Sequence, residues 1–352
     1  MQVPLIDESR YDEEMSRKVL PALAQCRTEG WMEPAEADGL AAPATPGKLH
    51  YVCYDAAKFD DLDEVGASAT FRGAIVISHG FTEFAAKYSE MVWYFLLAGY
   101  SVCVFEHRGH GYSVRDVDNP SLVWIDDWHR YVADLAKFAD TIGKEYADGM
   151  PLNLFCHSMG GGIGAGVLET RPTLFDKAVL SCPMIAPATA GLPNWLAGAV
   201  ANVLCSVGLS RHIVFGQSEF TPELDMADHP GASEARVRWF QQQRIDDPHQ
   251  QTYAATFEWL RQALRMSRAI QKPAACGEIE TPILLFQAGR DVWVLNEPQN
   301  RFVREVNADG GDARLVRVSD SLHEIFSMPN VILGPYLAKI LTFFGSDEMA
   351  AL

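Results

Sequence analysis

Positive charge is scarce in this sequence: 29 lysines and arginines stand against 46 aspartates and glutamates in 352 residues, a formal net charge of −17 at pH 7. Such a surface repels nucleic acid and gives no electrostatic hold on anionic lipid. Cysteine is sparse and unpatterned. The seven cysteines form an odd set without a C-x-x-C, which argues against a disulfide framework or a zinc ribbon and fits a reducing cytoplasm. Met1 to Arg10 carry neither a basic nor an apolar stretch, so no signal peptide is expected and the protein is expected to be cytoplasmic. Charge is missing altogether from Pro187 to Ser210, a run long enough in principle to span a bilayer. Pro193, Asn194, Asn202 and Ser206 weaken that reading.

What is present is a chain with 48% hydrophobic residues, enough for a substantial core in one large domain or a domain with an insertion. The stretch Leu152-Asn153-Leu154-Phe155-Cys156-His157-Ser158-Met159-Gly160-Gly161-Gly162 organises it. A short apolar run meets a serine flanked by small residues and continues as a glycine-rich helix, the pattern of a nucleophile elbow whose serine projects above a parallel sheet. Gly160 supplies clearance for the tight turn, whereas Cys156 stands where the pattern usually has glycine. Gly160 to Ala165 also satisfies the dinucleotide-binding spacing G-x-G-x-x-A. That reading needs an acidic residue at the end of the next strand, and Ala178 to Cys182 ends in Cys182-Pro183 without one. No cofactor is expected.

A serine used in acyl transfer needs a base and an acid, in this kind of fold in the order Ser, Asp, His. Asp291 follows the buried-strand pattern Pro282 to Ala288, just past a breaking glycine. His323 follows another strand, Arg314 to Ser319, and is the only histidine after Asp291. Ser158, Asp291 and His323 are therefore the candidate catalytic set. His107 and His110 at i, i+3 bring no third histidine or carboxylate cluster, so no metal site is expected.

His79-Gly80 after the strand Ala74 to Ser78, then Glu83, the run Glu106-His107-Arg108-Gly109-His110-Gly111-Tyr112-Ser113, and His157-Ser158-Met159-Gly160 together resemble the α/β-hydrolase superfamily. More narrowly they resemble its monoacylglycerol lipase and lysophospholipase L2 branch, from about Val19 to the C-terminus. Departures are Cys156 for glycine and Glu106 where aspartate is more usual. The resemblance implies that the loop after Ser78 and the residue after the nucleophile supply the oxyanion-binding N–H groups, here Phe81 and Met159.

The α/β alternation predicts a mostly parallel central sheet with helices on both faces and an inserted helical cap. Residues 1–48 read as a helical arm (Asp12 to Arg27) and a loop, with the first strand at Leu49 to Tyr54 and a solvated acidic turn at 60–64. Residues 49–187 and 276–352 form the core. The alternation stops after Pro183 and resumes at Thr281, and so long a loop without structure is implausible, so 188–275 is expected to be the cap. In its first helix Leu196, Val200, Val203 and Val207 form one apolar face, expected to line the acyl-binding channel, while Asn194, Gly198 and Ala201 form a smaller one. Further cap helices are expected at Ser233 to Arg244 and Thr252 to Ile270.

The resemblance implies a serine hydrolase that cleaves a single-chain lipid ester, a lysophospholipid or a monoacylglycerol, with transient contact at a membrane surface. A short-chain carboxylesterase, a transacylase and a non-catalytic ligand-binding relative remain as alternatives.

Overall fold

The computed structural model describes residues 3–43, 45–60 and 70–346. Apart from Asp60, the acidic turn expected at 60–64 lies outside them. Eight strands form one sheet: β1 Arg27–Met32, β2 Leu49–Tyr54, β3 Ala74–Ser78, β4 Ser101–Phe105, β5 Leu152–His157, β6 Lys177–Ser181, β7 Ile283–Ala288 and β8 Ala313–Val318. Their order is β1-β2-β4-β3-β5-β6-β7-β8, and only β2 runs against its neighbours. Strands β3, β4, β5 and β7 are buried along their whole length, as near-continuous apolar runs are when helices cover both faces.

The sheet corrects the sequence reading at its start: it begins at β1, not at Leu49. Arg-Thr-Glu-Gly-Trp-Met is mostly exposed and lacks apolar alternation, so its strand character comes from pairing with β2 along six residues. The arm before it is helical from Tyr11 to Cys26 and packs Met15, Val19, Leu23 and Cys26 into the core. Pro21 can offer no N–H, and the turn ahead of it, Met15–Val19, widens to π geometry.

Between β6 and β7 lie three long helices, Asn194–Ser206, Glu234–Asp246 and Phe257–Ala269. A two-residue parallel pairing of Leu122–Val123 with Ala254–Ala255 ties this segment to the core. Buried Arg236 does so too, reaching both carboxylate oxygens of Glu90 at 2.9 and 2.7 Å. The first of these helices is turned opposite to the expectation. Ala197, Gly198 and Ala201 form its buried face against Phe257–Ala269, while Val200, Val203 and Val207 face outward and Leu196 is half-buried. Small residues let the two helices approach; a Cβ on Gly198 would stand 2.7 Å from the Arg268 guanidinium.

The elbow depends on comparable clearances. A Cβ on Gly160 would lie 2.1 Å from the Ser78 carbonyl oxygen, so the helix Met159–Thr170 could not start so close to β3 with any other residue there. Cys156, the departure from the usual glycine, is accommodated by another glycine: a Cβ on Gly164 would stand 2.5 Å from the Cys156 sulfur. Gly164→Ala should therefore destabilise by roughly 1–3 kcal/mol through overpacking. Adding Cys156→Gly should recover part of that loss, measured as a double-mutant cycle in urea; additive effects would show that the thiol and Gly164 are not matched.

Candidate active site

Strand β5 ends at His157, and Ser158 turns into the following helix with φ 50° and ψ −117°, a left-handed conformation rare for a side-chain-bearing residue. Its backbone is over-determined. The Ser158 N–H donates to Ser181 O at 3.1 Å, and its carbonyl accepts from Met184 N–H at 2.7 Å and Gly161 N–H at 2.9 Å. The Ser158 hydroxyl has no hydrogen-bond partner among the described residues and the residue keeps 9% of its surface exposed.

Asp291 lies in the loop after β7 and His323 in the loop after β8. The His323 Nδ1 meets Asp291 Oδ2 at 2.7 Å, while Asp291 Oδ1 accepts the N–H groups of Trp293 (2.9 Å) and Val294 (3.1 Å). Burial pushes the Asp291 carboxyl up, but the His323 contact and the two backbone donors outweigh it and hold the group below its ordinary value. His157, next to Ser158 in the chain, packs against this pair: its ring lies 4.8 Å from that of His323, and its Nε2–H points at the His323 carbonyl oxygen at 3.4 Å. Ser158, Asp291 and His323 each follow the end of a parallel strand. Phe81 and Met159 N–H have no acceptor among the described residues, the latter because it opens a helix.

Behind them is a buried ionic group. Glu83 accepts from Gly80 N–H (2.5 Å), Tyr88 Oη (2.5 Å), Lys87 Nζ (2.7 Å) and the His157 ring (3.0 Å). Lys87 also reaches Glu324, beside His323, at 2.6 Å. Burial raises the Glu83 carboxyl, yet His157 and Lys87 next to it outweigh burial and hold it well below the ordinary value. The motif marked Glu83 and His157; Lys87 and Glu324 escaped, because a single charge in a helix or loop reads as a solvated one.

The three histidines around the Glu106 turn are structural. His79 packs 4.8 Å from His107 and 5.1 Å from His110, and burial holds all three below their ordinary values. His107 Nε2 is engaged by Ser78 Oγ and His110 Nδ1 by the Arg108 carbonyl, both at 2.9 Å. Glu106 fills the role of the usual aspartate, accepting Ala85 and Tyr112 N–H at 2.8 Å and His50 Nδ1 at 2.7 Å. Among the described residues one trio has metal-ligating atoms converging within 4.8 Å: Cys182, Asp291 and His323. Two of these already pair with each other.

A small apolar pocket lies beside Met159, lined chiefly by Trp128, Tyr131, Met184, Trp259 and Met266. Trp259 closes it by packing 4.2 Å from Phe81. None of Leu196, Val200, Val203 and Val207 lines it. The signal available in the sequence was the Trp259 to Met266 helix face.

A family model described as serine aminopeptidase, S33 (Hydrolase_4) matches residues 69–330. Lysophospholipase L2 of Escherichia coli is 28% identical over 306 residues, 82% of this chain and 87% of that protein. Monoglyceride lipase of Mus musculus is 36% identical over 149 residues, 41% of this chain and 46% of that one. A solved monoglyceride lipase from Saccharomyces cerevisiae, in complex with a substrate analogue, superposes with a TM-score of 0.63 at 18% identity, covering 89% and 94% of the two chains.

The depressed Glu83 carboxyl fixes a sign. Its contribution to stability is complete above the ordinary value of 4.5 and drains away as the pH falls below it. Glu83→Gln should be roughly 1.5–3 kcal/mol less stable than the parent at neutral pH. In thermal melts across pH the gap should narrow on the acid side; a gap independent of pH would mean that the charge of Glu83 contributes nothing.

Proposed function

This chain belongs to the serine aminopeptidase S33 family of α/β-hydrolases, in its monoacylglycerol lipase and lysophospholipase L2 branch, and from that premise we propose that it cleaves the carboxylic ester of a single-chain lipid through an acyl-enzyme. The family and its relatives make the chain a lipid-ester hydrolase. The finer reading rests on the His323–Asp291 pair at 2.7 Å and on a left-handed Ser158 whose neighbour His157 packs against His323, each residue following the end of a parallel strand. Ser158 Oγ attacks the acyl carbonyl while His323 takes its proton, and Asp291 holds the imidazole. The negative charge on the former carbonyl oxygen meets the Phe81 and Met159 N–H groups. Collapse expels the glycerol-bearing alcohol, which receives the proton from His323. Water, deprotonated by the same histidine, then releases the fatty acid. The small apolar pocket beside Met159 takes only the start of the acyl chain, and a long chain continues towards the cap rim.

That rim supports contact with a lipid surface. Leu192, Trp195, Val203 and Val207 are each more than half exposed on the charge-free segment 187–210, as is Phe215 beyond Arg211, and Val292 and Trp293 extend the surface beside Asp291. Trp293 adjoins the same segment through the Ala188 N–H to its carbonyl at 2.8 Å. With a net charge of −17 the surface suits zwitterionic lipid. No helix among the described residues is long and apolar enough to cross a membrane.

A fluorophosphonate should label Ser158, and Ser158→Ala should abolish labelling and lower turnover roughly 10⁴- to 10⁶-fold. Across p-nitrophenyl esters, efficiency should rise from butyrate towards decanoate, by about 0.8 kcal/mol per methylene until the pocket fills. A maximum at acetate or butyrate would replace this reading with a short-chain esterase. Trp195→Asp should weaken sedimentation with phosphatidylcholine vesicles by roughly tenfold or more; unchanged binding would remove the membrane role of this face.

A further inference from the structure

We propose that Arg244 is the head-group cation of this site and binds the phosphate of a lysophospholipid. The inference rests on the lipid-ester reading above and selects within it. Arg244 is buried at 6% exposure near the C-terminal end of the cap helix Glu234–Asp246, yet its guanidinium has no carboxylate partner among the described residues. Its hydrogen bonding is a single contact, Nη2 to the Thr82 carbonyl at 2.9 Å, and its buried Nε has no acceptor. The rings of Phe240 and Tyr253 lie 4.1 and 5.6 Å from the guanidinium carbon. Other buried arginines are satisfied differently. Arg236 on the same helix has Glu90, Arg108 has Asp134, Arg130 has Asp126, and half-buried Arg115 has five carbonyl and hydroxyl acceptors.

A desolvated cation without a counter-ion is costly in the free protein, and burial indeed lowers this guanidinium to about 10. Its position suits a ligand. Thr82 directly follows Phe81, whose N–H is assigned to the oxyanion, and Thr82 itself holds a left-handed φ of 65° with its carbonyl on Arg244. In a lysophospholipid the phosphate sits at the far end of a three-carbon glycerol from the scissile ester, a short reach from the oxyanion loop. A monoacylglycerol presents only a hydroxyl there. The surrounding charges leave room for the anion: Glu83 and Glu324, the acidic groups whose fields reach Arg244, are both engaged by Lys87. Arg236, eight residues earlier, holds the helix to the core, so Arg244 is presented from a fixed frame.

The test compares 1-oleoyl lysophosphatidylethanolamine with 1-oleoylglycerol in the same detergent, in the parent, Arg244→Gln and Arg244→Lys. The ratio of kcat/KM for the lysophospholipid to that for the monoacylglycerol should fall roughly 10- to 100-fold in Arg244→Gln, mainly through KM, and recover in part in Arg244→Lys. A structural role, holding the Thr82 turn, would lower both substrates together and leave the ratio unchanged, which would overturn the proposal. Inorganic phosphate should inhibit 1-oleoylglycerol hydrolysis no more than chloride of equal ionic strength. Inhibition specific to phosphate and lost in Arg244→Gln would make this a free-anion site and overturn the head-group assignment. Failure to hydrolyse either lipid would reject the lipid-ester reading itself, whereas hydrolysis of both with an unchanged ratio rejects only the role of Arg244.

Discussion

Glu83 receives four donors, from Gly80, Lys87, Tyr88 and His157, at a position with 2% exposure. The donors come from three parts of the site, Lys87 and Tyr88 sharing the short helix Ala85–Tyr88. Gly80 begins the turn that presents Phe81, His157 precedes Ser158 and touches the His323 carbonyl, and Lys87 continues to Glu324 beside His323. A buried carboxylate cannot lose a partner cheaply, because the charge left uncompensated has no water to turn to. The relative placement of the Phe81 loop, Ser158 and His323 is therefore tied to one anion behind them.

Much of this was legible in the sequence because burial on both faces writes strands β3 to β7 as apolar runs, and because loops after parallel strands are where chemistry collects. Ser158, Asp291 and His323 were readable as polar residues just past such runs. Strand β1 was not, since an exposed edge strand owes its existence to a partner some twenty residues later. Glu106 and Cys156 looked like departures from a motif. In the fold each is matched, Glu106 by His50 and two backbone donors, Cys156 by the missing side chain of Gly164. A sequence read one motif at a time does not show such pairs.

The misread cap helix teaches a related point. Hydrophobic periodicity selected Leu196, Val200, Val203 and Val207 as the buried stripe, because valine ranks above alanine and glycine in transfer energy. Packing of two helices against each other rewards close approach as well, and Ala197, Gly198 and Ala201 allow it. The larger residues then face outward. In an ordinary surface helix that arrangement would be a liability; under the proposed function it is a surface with a use.

The segment between β6 and β7 is held unevenly. Its later part is fastened by Arg236 to Glu90, by Arg115 to the His249 carbonyl and Thr252, and by the pairing of Ala254–Ala255 with the core. Residues 187–210 carry no charge and attach through small-residue packing and a few hydrogen bonds, such as the Ala188 N–H to the Trp293 carbonyl at 2.8 Å. Displacing the second kind of attachment costs less, since no buried ion has to be separated from its partner. The molecule thus combines a more firmly fastened side, which carries Arg244 and faces the Phe81 loop, with a side attached without buried ions. Under the proposed function, a head group read from the first side and an acyl chain admitted at the second would let a single site be selective at one end of its substrate and tolerant at the other.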